Sequence, residues 1–292
     1  MRGHSSITAA VVSFVRGAAS VPGSPYRGGR DPVARQLLPA PLRLALRAIE
    51  QVPPLLGVLR LASAGLADHV ALRTAAIDAA LVGALETSPH AQVVLLGAGL
   101  DARAYRLTEL GAATVFEVDH PATQAEKRRR LGGRPPLAGD VRFVAIDFER
   151  ESLEDRLAAA GHDPERPTIW IWEGVTLYLQ PAAVEATLDV VAARSAPGST
   201  LLMTYLTPDL AERPPVPRPL LRAGFRAIGE PVRATFTADE VKARLASRAF
   251  DVVDDGGSED WARRFLARGR RSIVGISERL VVASRAARAP GR

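Results

Sequence analysis

The run Val93-Val94-Leu95-Leu96-Gly97-Ala98-Gly99-Leu100-Asp101 constrains this chain more than any other stretch. Four apolar residues, two of them β-branched, predict a fully buried parallel strand. A glycine turn follows, where backbone without a Cβ can turn tightly and admit a ligand closely. A helical segment over 102–110 comes next. In a doubly wound α/β sheet such a turn lies at the carboxyl end of the first strand, where ligands bind. The pattern predicts a second strand over 113–118, closed by Asp119, twenty residues after Gly99. That separation suits a carboxylate that holds a ribose diol. The first expectation is a nucleotide-bearing cofactor.

The rest of the chain supports an α/β sheet. Further strands are predicted at Arg142–Ile146, Thr168–Trp172 and Thr200–Tyr205, with helices near 121–131, 151–160 and 181–195. Such alternation argues for a doubly wound, mostly parallel sheet with right-handed crossovers. Residues 1–90 read as helical, broken by loops around Pro22 to Pro32 and by Pro39, Pro41, Pro53 and Pro54. Residues 91–292 read as the cofactor-binding core. A proline-rich loop over 207–219 is either a lid or a surface excursion. The tail supplies helices near 237–247 and 258–268 and strands near Phe250–Val253 and Arg279–Ala283.

Composition removes several function classes. The 292 residues include no cysteine, which excludes disulfides, thiolate metal sites and cysteine nucleophiles. No metal site is assigned. The formal charge of +6 is carried almost wholly by arginines spread along the chain, Lys127 and Lys242 being the two lysines. The tight run Lys127-Arg128-Arg129-Arg130 reads as a solvated helix face, not a phosphate track. Arginines without interleaved aromatics speak against a nucleic-acid-binding module. No apolar run reaches the length of a membrane span, since Arg60 and Asp68 interrupt Pro54–Leu72. Arg16 closes the apolar N-terminal run without a cleavage site, so a signal peptide is rejected and a soluble cytoplasmic protein expected.

The glycine turn alone is a weak signal, because Gly97 and Gly99 could be simple turn residues and Asp101 a helix cap. Other carboxylates strengthen it. Asp119, Asp147 and Glu173 each close a strand at the same carboxyl edge. One such acid is most often a cap or turn former. Three beside a glycine turn favour a common site. Chemistry assigns the ribose hydroxyls to Asp119 and the adenine amino group to Asp147, with Phe148 offering an apolar face. Glu173 falls at the reactive end of the cofactor, near a cationic amine or sulfonium. A Walker A lysine is absent, and so many acids would repel a pyrophosphate. S-adenosylmethionine, cationic and free of phosphate, suits these residues better. Its carboxylate needs a cation. Arg73 fills the gap in an apolar helical stripe over 66–85, where a charge must be paired. Its partner is either a ligand carboxylate or a core acid such as Asp78, and periodicity alone favours the structural pair.

The strings VVLLGAGLDARAYRL, FEVDHP, AIDF and WEGVTLYL, preceded by ALRTAAID, resemble the leucine carboxyl methyltransferase family of S-adenosylmethionine-dependent enzymes. Within it they are similar to the bacterial branch that includes polyketide carboxyl O-methyltransferases. The resemblance spans roughly Arg16 to Leu206. It implies a class I methyltransferase, Rossmann-like fold: seven strands with the last antiparallel, capped by N-terminal helices. It implies Arg73 on the methionine carboxylate, with Arg16 as a further basic residue near it. The turn Gly97-Ala98-Gly99 would lie along the methionine part, Asp119 at the ribose, and Asp147 with Phe148 at the adenine. Glu173 would sit near the amino-acid end. Tyr178 would face the acceptor, the alternative being an aromatic that packs at a helix start. One departure is Asp31-Pro32-Val33-Ala34, where relatives often carry Asp-Pro-Tyr-Ala; it bears on the shape of the lid or acceptor pocket.

The expected activity is an S-adenosylmethionine-dependent O-methyltransferase acting on a small molecule, with Tyr178 and Glu173 as catalytic candidates. Among the five histidines, only His120 has a predicted place near the site, flanking the ribose. A carboxylate acceptor needs no base, whereas a hydroxyl usually does, so a carboxylic acid is favoured over a phenol or alcohol. The rival enzyme is an NAD-dependent oxidoreductase, which shares the glycine turn and acid. Neither lysine stands in a Tyr-x-x-x-Lys motif. Oligomeric state is left open.

Overall fold

A computed structural model describes residues 7–148, 150–208, 232–272 and 276–286. Five helices come first: α1 (Ile7–Ala19), α2 (Ala34–Leu37), α3 (Ala40–Gln51), α4 (Pro54–Ala62) and α5 (Leu66–Thr87). The alternating part follows as β1 (Gln92–Leu96), α6 (Arg103–Arg106), β2 (Thr114–Asp119), α7 (Pro121–Leu131), β3 (Asp140–Ala145), α8 (Leu153–Ala159), β4 (Thr168–Trp172), α9 (Pro181–Ala193) and β5 (Thr200–Leu206). Then come α10 (Ala238–Ala246), β6 (Phe250–Gly257), α11 (Ser258–Phe265) and β7 (Glu278–Arg285).

The strands form one seven-stranded sheet in the order β3-β2-β1-β4-β5-β7-β6. Pairing from β3 through β5 is parallel, and β7 runs antiparallel to both neighbours. β1 lies between β2 and β4, with Val93 opposite Val115 on one side and Ile169 on the other. All five of its residues are buried, as a strand covered on both faces requires. Val93 and Leu95 pack against Leu72, Ile77 and Leu81 of α5. Val94 and Leu96 face the other way, into a core with Trp170, Trp172, Leu157 and Leu188. The alternation of side chains along a strand thus divides the interior into two layers. A third cluster, with Phe14, Val15, Leu46 and Leu56, sits among α1, α3, α4 and the start of α5.

The predicted helix over 102–110 is broken. The α6 turn stops at Arg106, and a separate 3₁₀ turn covers Thr108–Leu110. The last two strands are longer than predicted, with β6 reaching Gly257 and a register shift between Val252 and Asp254. Of the proline-rich loop, residues 209–219 lie outside the described residues. No single helix among the described residues is long and apolar enough to cross a membrane.

Candidate cofactor site at the carboxyl edge

The site is built where the strand order reverses, between β1 and β4, because crossovers to opposite sides leave a crevice there. The turn after β1 is tied to β2. The N–H groups of Gly97 and Ala98 both donate to the Val118 carbonyl, at 2.9 and 3.0 Å. Gly97 has φ +71°, and a Cβ there would fall 2.6 Å from Val175 Cγ2. Gly97→Ala is therefore expected to cost about 1–3 kcal/mol through backbone strain and overpacking. Denaturant unfolding checks it; Val175→Ala should recover the steric part and leave the strain.

Asp119 closes β2 and holds the same turn. Its Oδ2 accepts from the Gly99 N–H at 2.5 Å, and its Oδ1 from the His120 N–H at 2.6 Å. A carboxylate has about four lone-pair positions, so two N–H bonds leave room for a diol. Burial pushes its pKa up, against the pull of the Gly99 and His120 N–H groups. His120 caps α7: its Nδ1 accepts from the Ala122 N–H at 3.2 Å. Asp147 follows β3 by two residues; Glu151 accepts from its backbone N–H at 2.8 Å, and Arg150 lies 3.6 Å from its carboxylate. Phe148 beside it is 52% exposed, a large aromatic ring open at the sheet's edge.

Glu173, after β4, joins two arginines. Its Oε1 accepts from Arg73 Nε at 3.0 Å and its Oε2 from Arg103 Nη1 at 2.9 Å. Burial alone would raise its pKa, but Arg103 and then Arg73 outweigh it and lower it. Arg73 Nη1 also donates to Glu278 Oε2 at 2.7 Å, an oxygen that lies 2.6 Å from His69 Nε2. Glu278 is likewise buried, yet Arg73 and the His69 hydrogen bond hold its carboxyl well below the usual range. Gly174 follows with φ +65°, its missing Cβ position only 3.5 Å from both terminal nitrogens of Arg73. Arg16 reaches the turn from α1, donating to the Leu100 carbonyl at 2.5 Å and to Asp31 Oδ2 at 3.0 Å.

Three readings need correction. Arg73 is paired with core acids, as the periodicity favoured, but these are Glu173 and Glu278; Asp78, the acid named for it, binds Arg103 and Arg106. Asp101 is not the N-cap of α6, a place that falls to Ala102; its carboxylate accepts from the Arg103 backbone N–H at 2.7 Å, two residues on, as in an Asx turn, and pairs with the Arg103 side chain. His120 is not the lone histidine near the site, since His69 sits in the Arg73 network. Three residues were missed altogether: His69, Arg103 and Glu278. His69 was findable, lying one helical turn before Arg73 on the same face. Glu278 was not, because a rule that looks for acids at the ends of strands overlooks an antiparallel strand, which brings its first residue to that edge. Val33, at the departure from the family pattern, is 1% exposed and packed among core residues including Leu37 and Leu72. Tyr178 ends a 3₁₀ turn and packs against the Leu177–Leu206 cluster.

Two solved structures share the whole fold. A DUF574 family protein of Streptomyces avermitilis MA-4680 superposes with TM-score 0.59 at 15% identity, covering 97% of this chain and 98% of that one. A protein of Thermobifida fusca YX described as a methyltransferase gives TM-score 0.56 at 20% identity, covering 98% and 97%. Sequence relatives are closer in identity. A protein of Mycolicibacterium gilvum described as an S-adenosyl-L-methionine-dependent methyltransferase is 40% identical over 169 residues, 57% of this chain and 51% of the relative. A protein of Mycobacterium avium with the same description is 44% identical over 138 residues, 47% and 43% of the two chains. Such alignments span about half the length of the curated relatives. None of this supports the nicotinamide alternative. The family model for leucine carboxyl methyltransferase matches residues 10–192, from α1 through α9, and the chain belongs to that family.

Proposed function

We propose that this chain is an S-adenosylmethionine-dependent O-methyltransferase that esterifies a carboxylate of a small molecule. The observation that carries the cofactor is the charge pattern of the crevice. Arg16, Arg73, Arg103 and Arg106 are matched by Asp31, Asp78, Asp101, Glu173 and Glu278, with Asp119 and Asp147 further along the edge. Acids outnumber arginines. Such a site favours a ligand of net positive charge and opposes a pyrophosphate. When bound, S-adenosylmethionine supplies an electrophilic methyl group on its sulfonium.

The residues then divide the binding work. Asp119 accepts from the ribose hydroxyls and keeps the glycine turn in place through Gly99. Asp147 accepts from the adenine amino group, and Phe148 covers one face of the ring. Arg73 takes the methionine carboxylate and Glu173 the ammonium. In this reading residues 1–90 act as a cap that contributes Arg16, His69 and Arg73, while 91–292 form the core. Methyl transfer is an in-line displacement, so holding the acceptor oxygen behind the methyl supplies most of the acceleration. A carboxylate arrives ionised and asks no side chain to remove a proton. Family membership supports this acceptor class. Tyr178 stands as a positioning group for it: Tyr178→Phe is expected to lower turnover roughly two- to tenfold, the worth of one hydrogen bond. Affinity for S-adenosylhomocysteine should stay unchanged in the same variant. Equal turnover returns Tyr178 to a packing role.

One observation favours a hydroxyl acceptor instead: the buried His69–Glu278 pair is the arrangement of a base and its orienting acid. The product separates the two readings. Methyl-labelled cofactor is incubated with panels of carboxylic acids and of phenols. Label in a base-labile ester supports the carboxylate; label only in base-stable ethers overturns it.

A further inference from the structure

We infer that Arg103 is a second arginine for the carboxylate end of the cofactor, an assignment that rests on the S-adenosylmethionine reading above. Arg103 opens α6 directly after the β1 turn, and its side chain reaches across the crevice to Glu173 after β4. It is 1% exposed. A guanidinium has five N–H donors in a planar fork. In Arg103, Nε is taken by Asp78 at 2.7 Å, and Nη1 by Asp101 and Glu173. Nη2 is buried and has no hydrogen-bond partner among the described residues. Leaving a charged donor buried and unpaired is costly, and three carboxylates already balance the charge. What the side chain lacks is an acceptor at Nη2.

The neighbours say which acceptor fits. Arg73 and Arg103 each hold one oxygen of Glu173, so their guanidinium groups flank a single carboxylate. An amino-acid zwitterion brings both charges this trio can read: an ammonium for Glu173 and a carboxylate for the arginines. Arginine forks bind carboxylates with good geometry, which makes Nη2 the natural second donor. Arg106 Nε is also without a partner, but Arg106 contacts Asp78 and the Arg30 carbonyl, not Glu173.

The test compares two ligands by calorimetry: S-adenosylhomocysteine and 5′-methylthioadenosine, which lacks the amino-acid end. Arg103→Lys keeps a cation for the three acids but removes the fork. It is expected to weaken S-adenosylhomocysteine roughly tenfold to hundredfold, the worth of one hydrogen bond to a charged group. Affinity for 5′-methylthioadenosine should hold. Equal loss of both ligands, or no loss of the first, overturns the assignment. A crystal structure of the wild-type chain with S-adenosylhomocysteine tests it without any variant. Nη2 within hydrogen-bond distance of the ligand carboxylate is expected; a water on Nη2, with the carboxylate on Arg73 alone, overturns it. Failure of the wild type to bind either ligand overturns the cofactor reading itself, and this inference with it.

Discussion

Asp119→Ala is expected to weaken S-adenosylhomocysteine binding by at least about a hundredfold, because one carboxylate serves two hydroxyls and each charge-assisted bond is worth about 1.5–3 kcal/mol. The same substitution frees the Gly99 and His120 N–H groups that Asp119 holds at 2.5 and 2.6 Å. Some of the loss will therefore come from a loosened turn. Asp119→Asn separates the parts, since an amide oxygen can still accept one N–H. The pH profile gives a second check. The diol needs the ionised form, and burial raises the Asp119 pKa above its ordinary 3.8. Affinity should thus begin to fall at a higher pH than an exposed aspartate would dictate, as protonation removes the acceptor. In Asp119→Asn that acidic limb should vanish. Undiminished affinity in a folded Asp119→Ala variant would remove Asp119 from the site.

Arg73→Met is expected to destabilise the fold by about 3–5 kcal/mol, the usual cost of stripping one partner from a buried ion pair. It leaves Glu173 with Arg103 alone and Glu278 with His69 alone, all of them largely buried. Denaturant midpoints measure the effect. The pH dependence should flatten on the acid side. In the wild type both glutamates have folded pKa values below the ordinary 4.5. Their contribution is complete above that value and is lost as pH falls through the depressed values. Without Arg73 the Glu278 pKa moves up toward its ordinary value, and that share of the acid-side loss shrinks. A variant as stable as wild type would mean that Arg73 is held for a ligand and does little for the fold.

How far the sequence carried depended on whether a signal was local. The β1 strand and its turn were legible because apolar run, glycines and closing acid lie within ten residues of one another. The ends of β2 and β4 were legible for the same reason. Residues 1–90 could be read as helical, yet not that α5 would lie against the sheet and line the site. The pairing of Arg73 with Glu278 joins positions 205 residues apart, and no periodicity reports such a contact. Arg103 stood inside the most readable motif and was passed over. Its neighbours Asp78 and Glu173 come from other elements, and only folding assembles them around it.

Calorimetric titration with S-adenosylhomocysteine, with NAD in parallel, decides which cofactor the crevice holds. The expected result is micromolar binding of S-adenosylhomocysteine and no heat from NAD. Binding of NAD alone would contradict the account and give the Asp119 carboxylate to a nicotinamide cofactor's ribose.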